Sequence, residues 1–169
     1  MNYIKNHIST VVTQDYLIKY QLQNIEDLPS LKKVSLAIKF PKTSPKVALI
    51  LLEILSNQKA YNTQSKTNSL NLNLRKGDLV GCKVVLRKKA AFEFFQRFVF
   101  EILPYLKNKK YLTKKTKTLE LQIKDVFVLE STEIIFNYLQ DVKTVDLVFE
   151  INKENLDFFR ACNITLQTI

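Results

Sequence analysis

Lys83, Val85 and Arg87 alternate with Cys82, Val84 and Leu86, so one side of this short segment is cationic and the other apolar. That is the period-two pattern of a half-buried strand. Arg75 and Lys76 precede it, and Gly77 and Gly81, the only two glycines of the 169 residues, bound the approach. A chain so sparing with glycine is expected to place it where the backbone needs a positive φ or a close approach. Lys33 and Lys39 flank a second alternating run, Val34, Leu36 and Ile38. Cations at every second strand position lie about 7 Å apart, comparable with phosphate spacing along a nucleic acid. The chemistry on offer is phosphate binding by a β-surface.

A second constellation is KNKKYLTKKTK, residues 107–117, with six lysines in eleven positions. Such a run repels itself and is expected to order when phosphates neutralise it, which adds Lys109, Lys110, Lys114 and Lys115 to the candidate RNA-binding residues. The acids Asp125, Glu130, Glu133, Asp141, Asp146, Glu150, Glu154 and Asp157 show no metal-ligand spacing and read as a solvated acidic surface. Catalysis finds no support: His7 is the single histidine, and no nucleophile elbow, phosphate loop or dinucleotide fingerprint is present. No cofactor or metal is expected. Cys82 and Cys162 are far apart, sit among apolar neighbours and read as small core residues.

A net charge of +10 asks for a polyanionic partner, either nucleic acid or an anionic membrane surface. The charge is divided: residues 1–120 hold 22 Lys and Arg against 8 acids, and residues 121–169 hold 4 against 8. A cationic side for nucleic acid and a mildly acidic side for a basic protein follow. No apolar run reaches the ~20 residues of a membrane span, and the N-terminus shows neither a secretory h-region nor an Arg- and Ser-rich transit segment. Lysine outnumbers arginine 22 to 4 while Asn, Ile, Tyr and Phe are abundant, the profile of an AT-rich genome. A protein encoded and made in a mitochondrion is expected, with an AT-rich bacterium or another organelle as the alternative.

The elements that must position these residues are legible in outline. Ile4, Ile8, Val11, Val12 and Ile18 predict an amphipathic helix over 3–22. Val34–Phe40 predicts a strand, and Ser44 with Pro45 predicts the start of a helix running through Leu55. Residues 60–69 read as a polar loop or hairpin tip, and Leu70, Leu72 and Leu74 as a strand entering the glycine turn. A helix over 89–103 carries a core stripe of Phe92, Phe95, Val99, Ile102 and Leu103, with Phe94 and Phe98 on another flank, and Pro104 closes it. Strands follow at Leu119–Ile123 and Val145–Ile151, and Asn152 is placed as the cap of a last short helix. Half-exposed strands outnumbering helices predict one α+β domain over 1–169, an antiparallel sheet with helices packed on one face.

LRKG followed by GCKVVLR, then FEFFQR and Pro104, with echoes in LPSLKKVSL and NQKAYNTQSK, resembles the large-subunit ribosomal protein five family over roughly residues 16–166. This family binds 5S ribosomal RNA in the central protuberance. The resemblance implies the same α+β architecture and places Lys33, Lys59, Lys83 and Arg87 at the RNA. It implies that the loop bearing Gln64, Ser65, Lys66 and Asn68 extends toward transfer RNA in the peptidyl site, and that the acidic side meets small-subunit ribosomal protein thirteen across an intersubunit bridge. Neighbouring large-subunit proteins would be further partners, with no membrane and no homo-oligomer. The RNA would be 5S or a segment of the large ribosomal RNA. A free-standing RNA-binding regulator, and behind it a peripheral membrane protein, are the rival readings.

Overall fold

The computed structural model describes residues 3–22, 24–39, 45–105, 112–115, 117–123, 142, 144–152, 158–159 and 162. Six strands form one sheet: β1 (Leu31–Lys39), β2 (Tyr61–Gln64), β3 (Leu79–Arg87), β4 (Leu112–Lys115), β5 (Thr118–Ile123) and β6 (Val145–Ile151). Their order is β2-β3-β1-β6-β5-β4, and the pairs β2/β3 and β4/β5 are antiparallel. The helices α1 (Tyr3–His7), α2 (Thr13–Tyr20), α3 (Pro45–Ser56) and α4 (Lys88–Arg97) complete the expected α+β fold. Alternation explains the sheet: Val34, Leu36 and Ile38, Cys82, Val84 and Leu86, Leu119, Leu121 and Ile123, and Val145, Leu147, Phe149 and Ile151 are all buried. Their neighbours on the other face are mostly half-buried or exposed.

The chain divides into two compact units, residues 1–34, 86–121 and 148–169 in one and 35–85 and 122–147 in the other. In the first, α1 passes through a π-helical turn, Ile8–Val12, into α2, burying Ile4, Val12 and Tyr16. Side-chain hydroxyls compete for backbone carbonyls there: the Thr10 hydroxyl donates to Asn6 O at 2.8 Å and that of Thr13 to Ile8 O at 2.6 Å. Such local bonds accompany departures from regular α geometry. α4 runs on through a second π turn, Phe98–Ile102, and a 3-10 turn, Leu103–Tyr105, that contains Pro104.

Its buried stripe is Ala91, Phe94, Phe95, Phe98 and Ile102, which corrects the expected one: Phe92 and Val99 are only half-buried. Phe95 meets Phe149 edge-on at 5.5 Å between centroids and Phe159 at 6.5 Å, while Phe98 lies 4.8 Å from Phe149. Asn152 is expected to cap a helix whose first turn, residues 153–157, lies outside the described residues. Its Oδ1 accepts from Ser30 N at 2.7 Å and its Nδ2 donates to Leu28 O at 3.2 Å, which ties the end of β6 to the entry of β1.

In the second unit, α3 starts at Pro45 as expected and buries Ala48, Leu51, Leu52 and Leu55. It ends at Asn57, whose φ of 51° is left-handed, a conformation asparagine tolerates. Glu53 accepts from Ala60 N at 3.0 Å and leads the chain into β2. β2 falls within the stretch expected to be a loop: Tyr61 faces Lys83, Asn62 faces Cys82 and Thr63 faces Gly81.

The two glycines hold the two roles expected of them. Gly77 turns with φ +98°, and a Cβ on Gly81 would collide with the carbonyl oxygen of Ile38. The strand expected at Leu70–Leu74 is instead a 3-10 turn, Leu70–Leu72, with Leu70 93% exposed and the chain reversing at Asn73, φ 50°.

Candidate nucleic-acid interface

The open face of β3 carries Lys83, half-buried opposite Tyr61, and Arg87, exposed at the strand's end just before α4. Neither makes an ion pair among the described residues. Lys59, just before β2, is exposed as well.

On β1 the expected residues are present but not free. Lys33 Nζ lies 2.7 Å from Glu150 of β6, and Lys32 Nζ reaches the same carboxylate at 3.4 Å. Lys39 Nζ lies 3.0 Å from Asp146 of β6, whose other oxygen accepts from Gln122 Nε2 of β5 at 3.0 Å. Asp146 and Glu150, read from sequence as part of an acidic surface, are thus partners of the cationic strand. The Lys33 ammonium holds the Glu150 carboxyl below its ordinary range, assisted by Lys32 and opposed by partial burial. The other acids of that surface, Asp125, Glu130, Glu133, Asp141, Glu154 and Asp157, lie outside the described residues.

The loop between β2 and β3 is built by its own hydrogen bonds. Ser65 N donates to Asp78 O at 2.9 Å and Gly77 N to Ser65 O at 3.0 Å, prolonging the hairpin past the irregularity between Thr63 and Gln64. Ser69 and Leu74 then exchange backbone bonds of 2.9 and 3.0 Å. Asn68 Oδ1 accepts from Lys76 N at 2.7 Å, and Asp78 accepts from Arg75 N at 2.7 Å. Ser65 Oγ donates to Thr67 O at 2.6 Å. Gln64, Lys66, Asn68, Arg75 and Lys76 are exposed. The fold brings Asn68, Arg75 and Lys76 together around an open cleft of about 510 Å³. It is polar and cationic apart from Leu70 and Leu74.

Lys109 and Lys110 lie outside the described residues, while Lys114 and Lys115 belong to β4, which pairs with β5. Part of the lysine segment is therefore a strand rather than a free loop. Burial pushes the Cys82 thiol up to about 11, against a backbone hydrogen bond from Ile38, and the Cys162 thiol up to about 12. Both stay protonated near neutral pH and are poor nucleophiles or metal ligands. Among the described residues no group of three His, Cys, Asp or Glu could hold a metal, and no helix is long and apolar enough to cross a membrane. Among the described residues, sequence reasoning missed Lys32, whose ammonium reaches Glu150 beside that of Lys33, because Lys33 holds the alternating position.

No protein-family model matches the chain. Individual relatives do. Large ribosomal subunit protein uL5 of Blochmanniella floridana is 25% identical over 99% of this chain and 80% of its own length. The uL5m protein of Reclinomonas americana is 27% identical over 88% of this chain and 86% of its own. The uL5 protein of Pelodictyon phaeoclathratiforme is 36% identical over 57% of this chain and 52% of its own. The likeness first read from LRKG and GCKVVLR thus extends over nearly every residue, and the chain is a homologue of large ribosomal subunit protein uL5.

Proposed function

We propose that the chain is a structural, non-enzymatic constituent of a large ribosomal subunit. The observation that carries this is its likeness to uL5 proteins along almost its whole length. In this reading the open face of β3 and β1, with the lysines of 107–117, binds 5S ribosomal RNA or a segment of the large ribosomal RNA in the central protuberance. The charges of Lys83 and Arg87, which have no ion-pair partner among the described residues, support that assignment. The ordered cationic cleft at Asn68, Arg75 and Lys76 supports an RNA contact for the loop, with transfer RNA in the peptidyl site as its target. Small-subunit ribosomal protein thirteen, across an intersubunit bridge, and neighbouring large-subunit proteins are its protein partners. An organellar relative, together with the AT-rich composition, supports a mitochondrial ribosome, with an AT-rich bacterium as the alternative.

Structured RNA is gripped through phosphates and 2′-hydroxyls more than through base edges, which suits a lysine-rich sheet face. The test is sedimentation of tagged protein from its own cells at moderate salt and high magnesium, followed by crosslinking and sequencing of the attached RNA. Migration with large subunits and crosslinks from Lys83 and Arg87 to ribosomal RNA are expected. Protein confined to light fractions with other RNA attached would favour a free-standing regulator and overturn the proposal.

A further inference from the structure

Glu150 receives two ammonium groups from adjacent positions of one strand, Lys33 at 2.7 Å and Lys32 at 3.4 Å. Its side chain is 23% exposed, that of Lys33 33% and that of Lys32 62%, so the carboxylate is the most sheltered of the three and Lys32 the most open to solvent. The three side chains carry a net charge of +1 where the two lysines alone would carry +2. An ammonium has three N–H donors and no acceptor. Each lysine can therefore keep its bond to Glu150 and still donate to an incoming phosphate.

The carboxylate has two further effects. It restricts two long side chains to one region, which lowers the entropy lost when they bind. It also repels phosphates that approach it directly, a like-charge cost that falls on any polyanion unable to meet both lysines from above. Resting on the proposal that this face binds RNA, we infer that Glu150 is a specificity-determining residue. It holds Lys32 and Lys33 as a preset pair for the phosphates of folded RNA and weakens binding to unstructured polyanions. Lys32 thereby joins the interface.

The test compares full-length wild type and Glu150→Gln, by fluorescence anisotropy, on poly(U) and on large-subunit ribosomal RNA folded in magnesium. Freeing one positive charge should steepen the poly(U) salt slope by about 0.7, so the variant's gain in poly(U) affinity is about 2.6-fold larger at 50 mM than at 200 mM salt. Binding to the folded RNA should change less, lowering the preference for it. Lys32→Gln should abolish the gain in the Glu150→Gln background yet reduce poly(U) binding less than Lys83→Gln when Glu150 is present.

That last comparison stands even if Glu150→Gln fails to fold. Unchanged poly(U) affinity and slope in Glu150→Gln, or equal effects of Lys32→Gln and Lys83→Gln with Glu150 present, would overturn the inference. If the double variant Lys83→Gln, Arg87→Gln leaves binding to both RNAs untouched, the RNA-binding assignment itself falls, and this inference with it.

Discussion

Replacing Lys83 and Arg87 together by glutamine removes two cations of β3 that have no carboxylate partner among the described residues. If each neutralises one phosphate as proposed, each contributes about 0.9 to the salt slope on a duplex or about 0.7 on a single strand. The double variant should then bind folded ribosomal RNA with a slope shallower by about 1.4 to 1.8. Over a fourfold rise in salt the advantage of the wild type shrinks by roughly 7- to 12-fold. Filter binding or anisotropy from 50 to 200 mM salt measures this directly. The charge-matched control, Lys46→Gln with Lys89→Gln, removes exposed lysines of α3 and α4, the second of them already 3.6 Å from Glu93. It should leave most of the slope in place. An unaltered slope in the β3 variant, or an equal change in the control, would refute the view that the open strand face is the RNA contact.

Other perturbations probe the scaffold. Phe95→Ala empties a fully buried site shared with Phe149 and Phe159 and should cost about 3–5 kcal/mol, read as a lower urea midpoint. Gly81→Ala sets a methyl group against the Ile38 carbonyl, so either the strands separate or the bonds around that carbonyl distort. A loss of about 1–3 kcal/mol with slower folding or lower soluble yield is expected. With thiols raised to about 11 and 12, Cys82 and Cys162 should resist alkylation at pH 8 in native protein and react at once in denaturant. Rapid native labelling of Cys82 would show that β3 opens far more readily than its burial implies.

The strands that carry the site were legible because each buries one face. Val34 to Ile38, Cys82 to Leu86, Leu119 to Ile123 and Val145 to Ile151 alternate in sequence as they do in space. β2 was not legible for the converse reason: Tyr61, Asn62 and Gln64 are exposed and Thr63 only half-buried, so no apolar period marks it. Around α4 seven of the ten positions from Ala91 to Phe100 are apolar or aromatic, more than one stripe can hold, which left the helix's rotation undetermined and set the expected stripe off its true line. The ion pairs of Lys32, Lys33 and Lys39 could not be read at all, because their partners lie on a strand at the far end of the chain. The division of charge along the sequence suggested separate faces, whereas β6 carries its acids to the cationic strand. The residues of β3 needed no such long-range knowledge.

The outermost strands of the sheet, β2 and β4, are each only four residues long. One loses its register at Thr63 and Gln64, and the other ends in two lysines. Brevity, a kink and like charge are the devices that deny an unpaired rim to a second molecule. Copies of the chain are thereby discouraged from growing into ladders with one another by adding strand to strand.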